Sequence, residues 1–145
     1  MYTKHIKYTD KRGKKAAALE VELQTIGARH GLAPAVISSS YLEDECVICM
    51  ENAGQCLAAI YGDNPAKIPK MVWEQIRHIL EVLYEVEGIE YIDITSYNFT
   101  EKDGKVYIID FGDAQYTKQG KGEKSANWFL RDFLDGAYDW NPDFA

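Results

Sequence analysis

Apolar positions change their period several times along this chain of 145 residues. Tyr2 to Thr9 alternates in part, and Asp10-Lys11-Arg12-Gly13 bounds it, which predicts a short strand ending in a turn. From Lys14 to His30 the period becomes helical, through Ala18, Leu19, Leu23 and Ile26, with Gly31 as the stop. Leu32-Ala33-Pro34 reads as a linker. Ala35–Ser40 and Tyr41–Met50 read as two strands, and Glu51-Asn52-Ala53-Gly54 breaks the pattern. Pro69 opens the strongest helix, whose stripe is Val72, Ile76, Ile79, Leu80 and Leu83, closed near Gly88. Tyr91 to Asn98 has no clean period and reads as loop. Val106–Ile109 is a β-branched apolar run and hence a buried strand. Gln119–Glu123 reads as a loop, and Ser125 caps a last helix with the face Phe129, Leu130 and Phe133.

Strand, helix and strands, followed by a mostly helical half with a short β-element, predict an α+β protein of one domain. Its composition, 46% hydrophobic and 27% charged, excludes a disordered, collagen-like or coiled-coil chain. No apolar run approaches a membrane span, and no secretory signal is visible, so a cytoplasmic or otherwise intracellular protein is expected. Residues 1–30 carry seven Lys or Arg against three acids, whereas the other 115 carry nine against twenty. So acidic a body argues against nucleic-acid binding. Cys46 and Cys49 form a C-x-x-C inside a predicted strand, where their side chains point to opposite faces; three free thiols are expected rather than a zinc site. The tail Asp139–Phe144 is aromatic and acidic, and it reads as a segment that docks on its own body or on a second subunit.

Three polar residues change this picture. Asp93 and Asn98 are five apart in the predicted loop, and Asp110 closes the Val106–Ile109 run just before Phe111-Gly112. An acid at the end of a buried strand is costly unless it meets a cation or a hydrogen bond. Asn98 and Asp110 offer two oxygen ligands, a set that suits Mg²⁺, and Asp93 would orient or deprotonate a hydroxyl.

The stretch Tyr91-Ile92-Asp93-Ile94-Thr95-Ser96-Tyr97-Asn98, followed by Ile108-Ile109-Asp110-Phe111-Gly112, resembles the catalytic loop and DFG segment of the protein-kinase-like superfamily. The resemblance implies a two-lobed kinase-like fold, with a small N-lobe at 1–50, a hinge at 51–54 and a C-lobe at 55–145. It also implies Mg²⁺ and ATP as cofactors, with Asp93 catalytic and Asn98 and Asp110 on the metal. Val47 to Gly54 resembles the last N-lobe strand and hinge, so Met50 would be the gatekeeper, and Glu51 and Ala53 would meet an adenine edge. The Lys14–His30 helix resembles helix C. Lys7 is then the phosphate-binding lysine, with Lys4 as the other candidate, and Glu22 its acidic partner, with Glu20 as rival. Glu22 is preferred for its place between Leu19 and Ile26 on the apolar side.

The resemblance also has departures. The chain is expected to represent a minimal version lacking the first two N-lobe strands, the glycine-rich loop and the lower C-lobe helices. Tyr91 and Ile92 stand where the family has His and Arg, and Thr95 stands where many members carry Lys. The implied activity is transfer of the γ-phosphate of Mg-ATP to a protein Ser/Thr hydroxyl. The alternatives are a pseudokinase that acts as a protein-binding module, with or without nucleotide, and a small-molecule kinase. The implied partners are ATP, a protein substrate or regulator, and a second copy of the chain.

Overall fold

The first alternating stretch forms strand β1 (Tyr2–Lys7) in a computed structural model that describes residues 1–9, 13–117 and 127–144. Helix α1 (Gly13–Arg29) follows, then β2 (Val36–Tyr41) and β3 (Glu45–Met50). These strands make one antiparallel sheet in the order β1-β3-β2, with Lys4 opposite Ile48 and Tyr2 opposite Met50. One face of β3, made of Cys46, Ile48 and Met50, is buried with Ala17 of α1 in a small apolar cluster of its own. Alternation along β1 decides which side chains join it. Lys4, Ile6 and Tyr8 are half-buried, whereas Thr3, His5 and Lys7 are exposed.

Gly54 follows the break after β3 at a φ of 91°, and a Cβ there would lie 2.3 Å from the Glu101 carbonyl oxygen; only glycine fits. Beyond it come β4 (Gln55–Cys56), helix α2 (Leu57–Tyr61), a 3₁₀ turn at Pro65–Lys67 and helix α3 (Lys70–Glu81). All five residues of the expected stripe are buried, four on α3 together with Trp73 and the fifth, Leu83, in the turn that follows. After a wider π-type turn at Val82–Val86, β5 (Ile89–Glu90) pairs with β8 (Gln115–Tyr116). A second sheet, in the order β4-β6-β7, uses β6 (Phe99–Lys102) and β7 (Lys105–Ile108). Asp103-Gly104 joins the last two as a tight hairpin, both residues at positive φ (51° and 81°).

Helix α4 (Trp128–Leu134) is capped by the Asn127 side chain, which accepts the Leu130 N–H at 2.9 Å. The tail docks on its own body: Trp140 is buried with its ring 4.5 Å from that of Trp73, and Tyr138 stacks on the same indole. Phe129 and Phe133 join this main core, whereas Trp128 is 46% exposed. The expected turn over Asp10–Arg12, the loop Gln119–Glu123 and the Ser125 cap lie outside the described residues. The architecture is mixed α+β, with small antiparallel sheets. Cys46, Cys49 and Cys56 are free thiols, and no helix among the described residues is long and apolar enough to cross a membrane.

Candidate functional site

A cleft of about 470 Å³ opens between the first sheet and the second. Met50 and the connection Glu51–Gly54 line it, as do Lys4, Cys56, Asn98, Thr100 and Asp110. Its volume falls within the range of small-molecule sites. The Gln24 amide donates to the Met50 thioether at 3.4 Å and to the Pro34 carbonyl at 3.0 Å, which fixes the Met50 side chain from behind. The Glu51 N–H is taken by the Ala35 carbonyl at 3.0 Å. Neither the Glu51 carbonyl nor the Ala53 N–H enters the turn and loop hydrogen bonds among the described residues.

Lys4 is the cation of this cleft. Its ammonium donates to Glu20 Oε2 at 2.6 Å and to Asp110 Oδ1 at 3.2 Å. The expected pairing of Lys7 with Glu22 does not form. Lys7 stands on the opposite face of β1, is 74% exposed, and among the described residues its ion pair is with the Glu45 carboxylate at 3.6 Å. Glu22 is exposed and accepts the Tyr116 hydroxyl at 2.8 Å. The reason lies in α1, whose buried residues are Ala17, Glu20, Leu23, Gln24 and Gly27. Two polar residues complete that stripe, so a count of apolar residues alone places the face one position off.

Burial works against the Lys4 ammonium, but Glu20 and Asp110 outweigh it and its pKa rises. Burial raises the Glu20 pKa as well; Lys4 opposes this, and the Asp110 and Asp113 carboxylates add to it. The two shifts pull differently, one favouring the charged form and the other the neutral form. Glu20 faces two more acids, and Lys4 is the neighbour that favours its charged form.

Asp110 lies two residues past the end of β7 at a φ of 62°, a left-handed conformation that Asp tolerates better than most residues. Three contacts hold it there. The Tyr91 hydroxyl lies 2.7 Å from the Asp110 carbonyl and 2.9 Å from that of Ile109. Burial, followed by the Asp110 and Asp93 charges, keeps the Tyr91 pKa well above that of a free phenol, so this group stays a donor. The Gly112 N–H donates to Asp110 Oδ1 at 3.1 Å. Finally, the Phe111 ring is buried edge-on to Tyr91 and reaches α1 at Gly27, where a Cβ would lie 3.2 Å from its tip. The sequence marks Tyr91 for this support only by its place two residues before Asp93, where the resembled family has His.

Asn98 is buried, and its Nδ2 donates to the Asp93 carbonyl at 3.0 Å. A carbonyl only accepts, so the amide orientation is fixed and Oδ1 is left as the acceptor end of the side chain. Burial raises the Asp93 pKa; Asn98 opposes this, and the Asp113 and Asp110 charges add to it. Lys4, Asp110 and Asn98 thus line the cleft together, Glu20 holds the Lys4 ammonium from α1, and the Asp93 carboxylate lies within electrostatic reach. Among the described residues no group of three or more His, Cys, Asp or Glu could hold a metal ion, so an ion here would rely on Asn98 and Asp110 with water or ligand oxygens. No family model matches the chain, and no curated protein does.

Proposed function

We propose that this chain is a kinase-like phosphotransferase that binds Mg-ATP in the cleft and passes the γ-phosphate to a protein Ser/Thr hydroxyl. The observation that carries this reading is Lys4 held jointly by Glu20 and Asp110, in a cleft also lined by Asn98 and by residues 50–54. It is supported by a first sheet and α1 with their own small core, the short connection 51–54, and a larger remainder; on this reading these are N-lobe, hinge and C-lobe. The Glu51 carbonyl and the Ala53 N–H face the task of meeting a base edge.

The donor set fits magnesium: one neutral and one anionic oxygen, the rest of the coordination left to phosphate and water. When bound, that ion neutralises triphosphate charge. Lys4 adds a second positive charge, and Glu20 fixes where that charge stands. Asp93 orients the acceptor hydroxyl. As the acceptor oxygen bonds to the γ-phosphorus, the bond from that phosphorus to the bridging oxygen of ADP breaks, and Asp93 receives the hydroxyl proton.

Calorimetric titration with Mg-ATP and a radiolabel-transfer assay test this reading on wild type, Asp93→Asn and Asp110→Asn. Asp93→Asn is expected to bind nucleotide normally and to lose about 10²-fold or more in turnover. Binding without any Asp93-dependent transfer would make the protein a nucleotide-sensing module instead. Absence of binding, alone and with cell extract, would end the reading.

A further inference from the structure

Asp93 lies in a stretch without regular secondary structure, where main-chain carbonyls need partners supplied from elsewhere. Three consecutive carbonyls accept from two asparagines, and that of Ile92 also takes the Ile94 N–H at 2.9 Å. The Asn141 side-chain Nδ2 donates to the Ile92 carbonyl at 2.8 Å, and Asn98 Nδ2 donates to that of Asp93 at 3.0 Å. The Asn141 backbone N–H donates to the Ile94 carbonyl at 2.8 Å. Asn141 thus grips the loop on both sides of Asp93. It is 1% exposed, and its Oδ1 accepts the Asp143 N–H at 3.1 Å, so both ends of the amide are used. The preceding Trp140 is driven into the main core against Trp73 of α3, which anchors the grip to a rigid helix.

We infer that Asn141 is a positioning residue for Asp93: the C-terminal segment straps the loop and sets where the carboxylate points. The catalytic part of this inference rests on the kinase reading; the strap itself does not. Asn98 lines the cleft, whereas Asn141 is not among the described residues that line it, so the two asparagines separate in their effects. Asp at 141 keeps the size but loses the donor and sets a carboxylate against the Ile92 carbonyl. Ala at 141 removes the side-chain bond and leaves the backbone one.

The experiment combines steady-state phosphoryl transfer with amide hydrogen exchange on the full chain, for wild type, Asn141→Ala and Asn141→Asp. Misplacing Asp93 by a fraction of an ångström is expected to lower kcat by about 10- to 100-fold, with KM for Mg-ATP within about twofold. Amides of Ile94 and Asn98 should exchange at least tenfold faster, while those of Ile48 in β3 and Leu80 in α3 stay as they were. A purely structural role would instead loosen β3 and α3 together and move kcat and KM alike, which would overturn the inference. Unchanged exchange at Ile94 and Asn98 in both variants would overturn it too, as would full kcat. Wild type without any transfer, combined with faster loop exchange in the variants, would remove the kinase reading and its catalytic consequence and leave the strap in place. Should Asn141→Asp fail to fold, Asn141→Ala decides the same comparison.

Discussion

The Lys4 ammonium and the Glu20 carboxylate meet at 2.6 Å although one comes from an edge strand and the other from the buried stripe of a helix. Neither residue can reach the other from a position one step along its own element. This makes the pair a test of the site that a sequence neighbour cannot imitate. Lys4→Met should lower stability by about 1–3 kcal/mol, because it leaves Glu20 buried beside Asp110 and Asp113 without its cation. Lys7→Met and Glu22→Gln, both exposed, should change it by less than about 0.5 kcal/mol. Urea unfolding midpoints separate the two outcomes.

Acidity acts on the same pair with a definite sign. The Glu20 pKa is higher in the fold than in the unfolded chain, so between its ordinary value and its raised one the folded state binds more protons. Stability should therefore increase as pH falls through the raised pKa, and that contribution should vanish in Glu20→Gln. Lys4 works at the other end: its raised pKa gives stability that is complete below the ordinary lysine value and lost as pH rises through the folded value. Denaturation curves from pH 4 to pH 11 for wild type and Glu20→Gln check both limbs.

A third outcome concerns the tyrosine beneath Asp110. Tyr91→Phe keeps the packing against Phe111 and Phe99 but leaves the Ile109 and Asp110 carbonyls without that hydroxyl. A loss of about 1–2 kcal/mol in stability is expected and, on the kinase reading proposed above, a weaker dependence of nucleotide binding on magnesium. Retained magnesium dependence at wild-type strength would mean that the left-handed Asp110 needs no such support.

Thr100 should respond in the opposite direction. Its hydroxyl is buried at the cleft without a hydrogen-bond partner among the described residues, and valine has nearly the same shape without that polar atom. Thr100→Val should stabilise the ligand-free protein by about 1 kcal/mol, a rise of roughly 3–6 °C in Tm by differential scanning calorimetry. A fall in Tm would show that the hydroxyl is satisfied in solution.

The α3 stripe and the loop around Asp93 were legible because both announce themselves locally, one by period and the other by a spacing of polar residues. Lys4 and Glu20 were not, for two physical reasons. In β1, alternation gives two faces but only packing decides which is buried, and Lys7 looked as central as Lys4. In α1, Glu20 and Gln24 occupy core-facing positions that a hydrophobic pattern counts as polar. Strands β4, β5 and β8 have two residues each, too few to carry any period. The β6–β7 hairpin did have a signal, Asp103-Gly104, but Phe99–Lys102 alternates too weakly to draw attention to it.

The contact of Phe111 with Gly27 gives the fold a gauge for the placement of α1. The ring tip fills the notch left by a missing side chain, while seven residues earlier on the same helix Glu20 holds Lys4. Two turns of one rod thus touch the Asp110 turn from two directions, one through an aromatic edge and the other through charge. A screw motion of α1 large enough to empty the notch would carry Glu20 away from Lys4 in the same movement. The lysine and the aspartate are therefore in register together or out of register together, and the helix behaves as a single key for both.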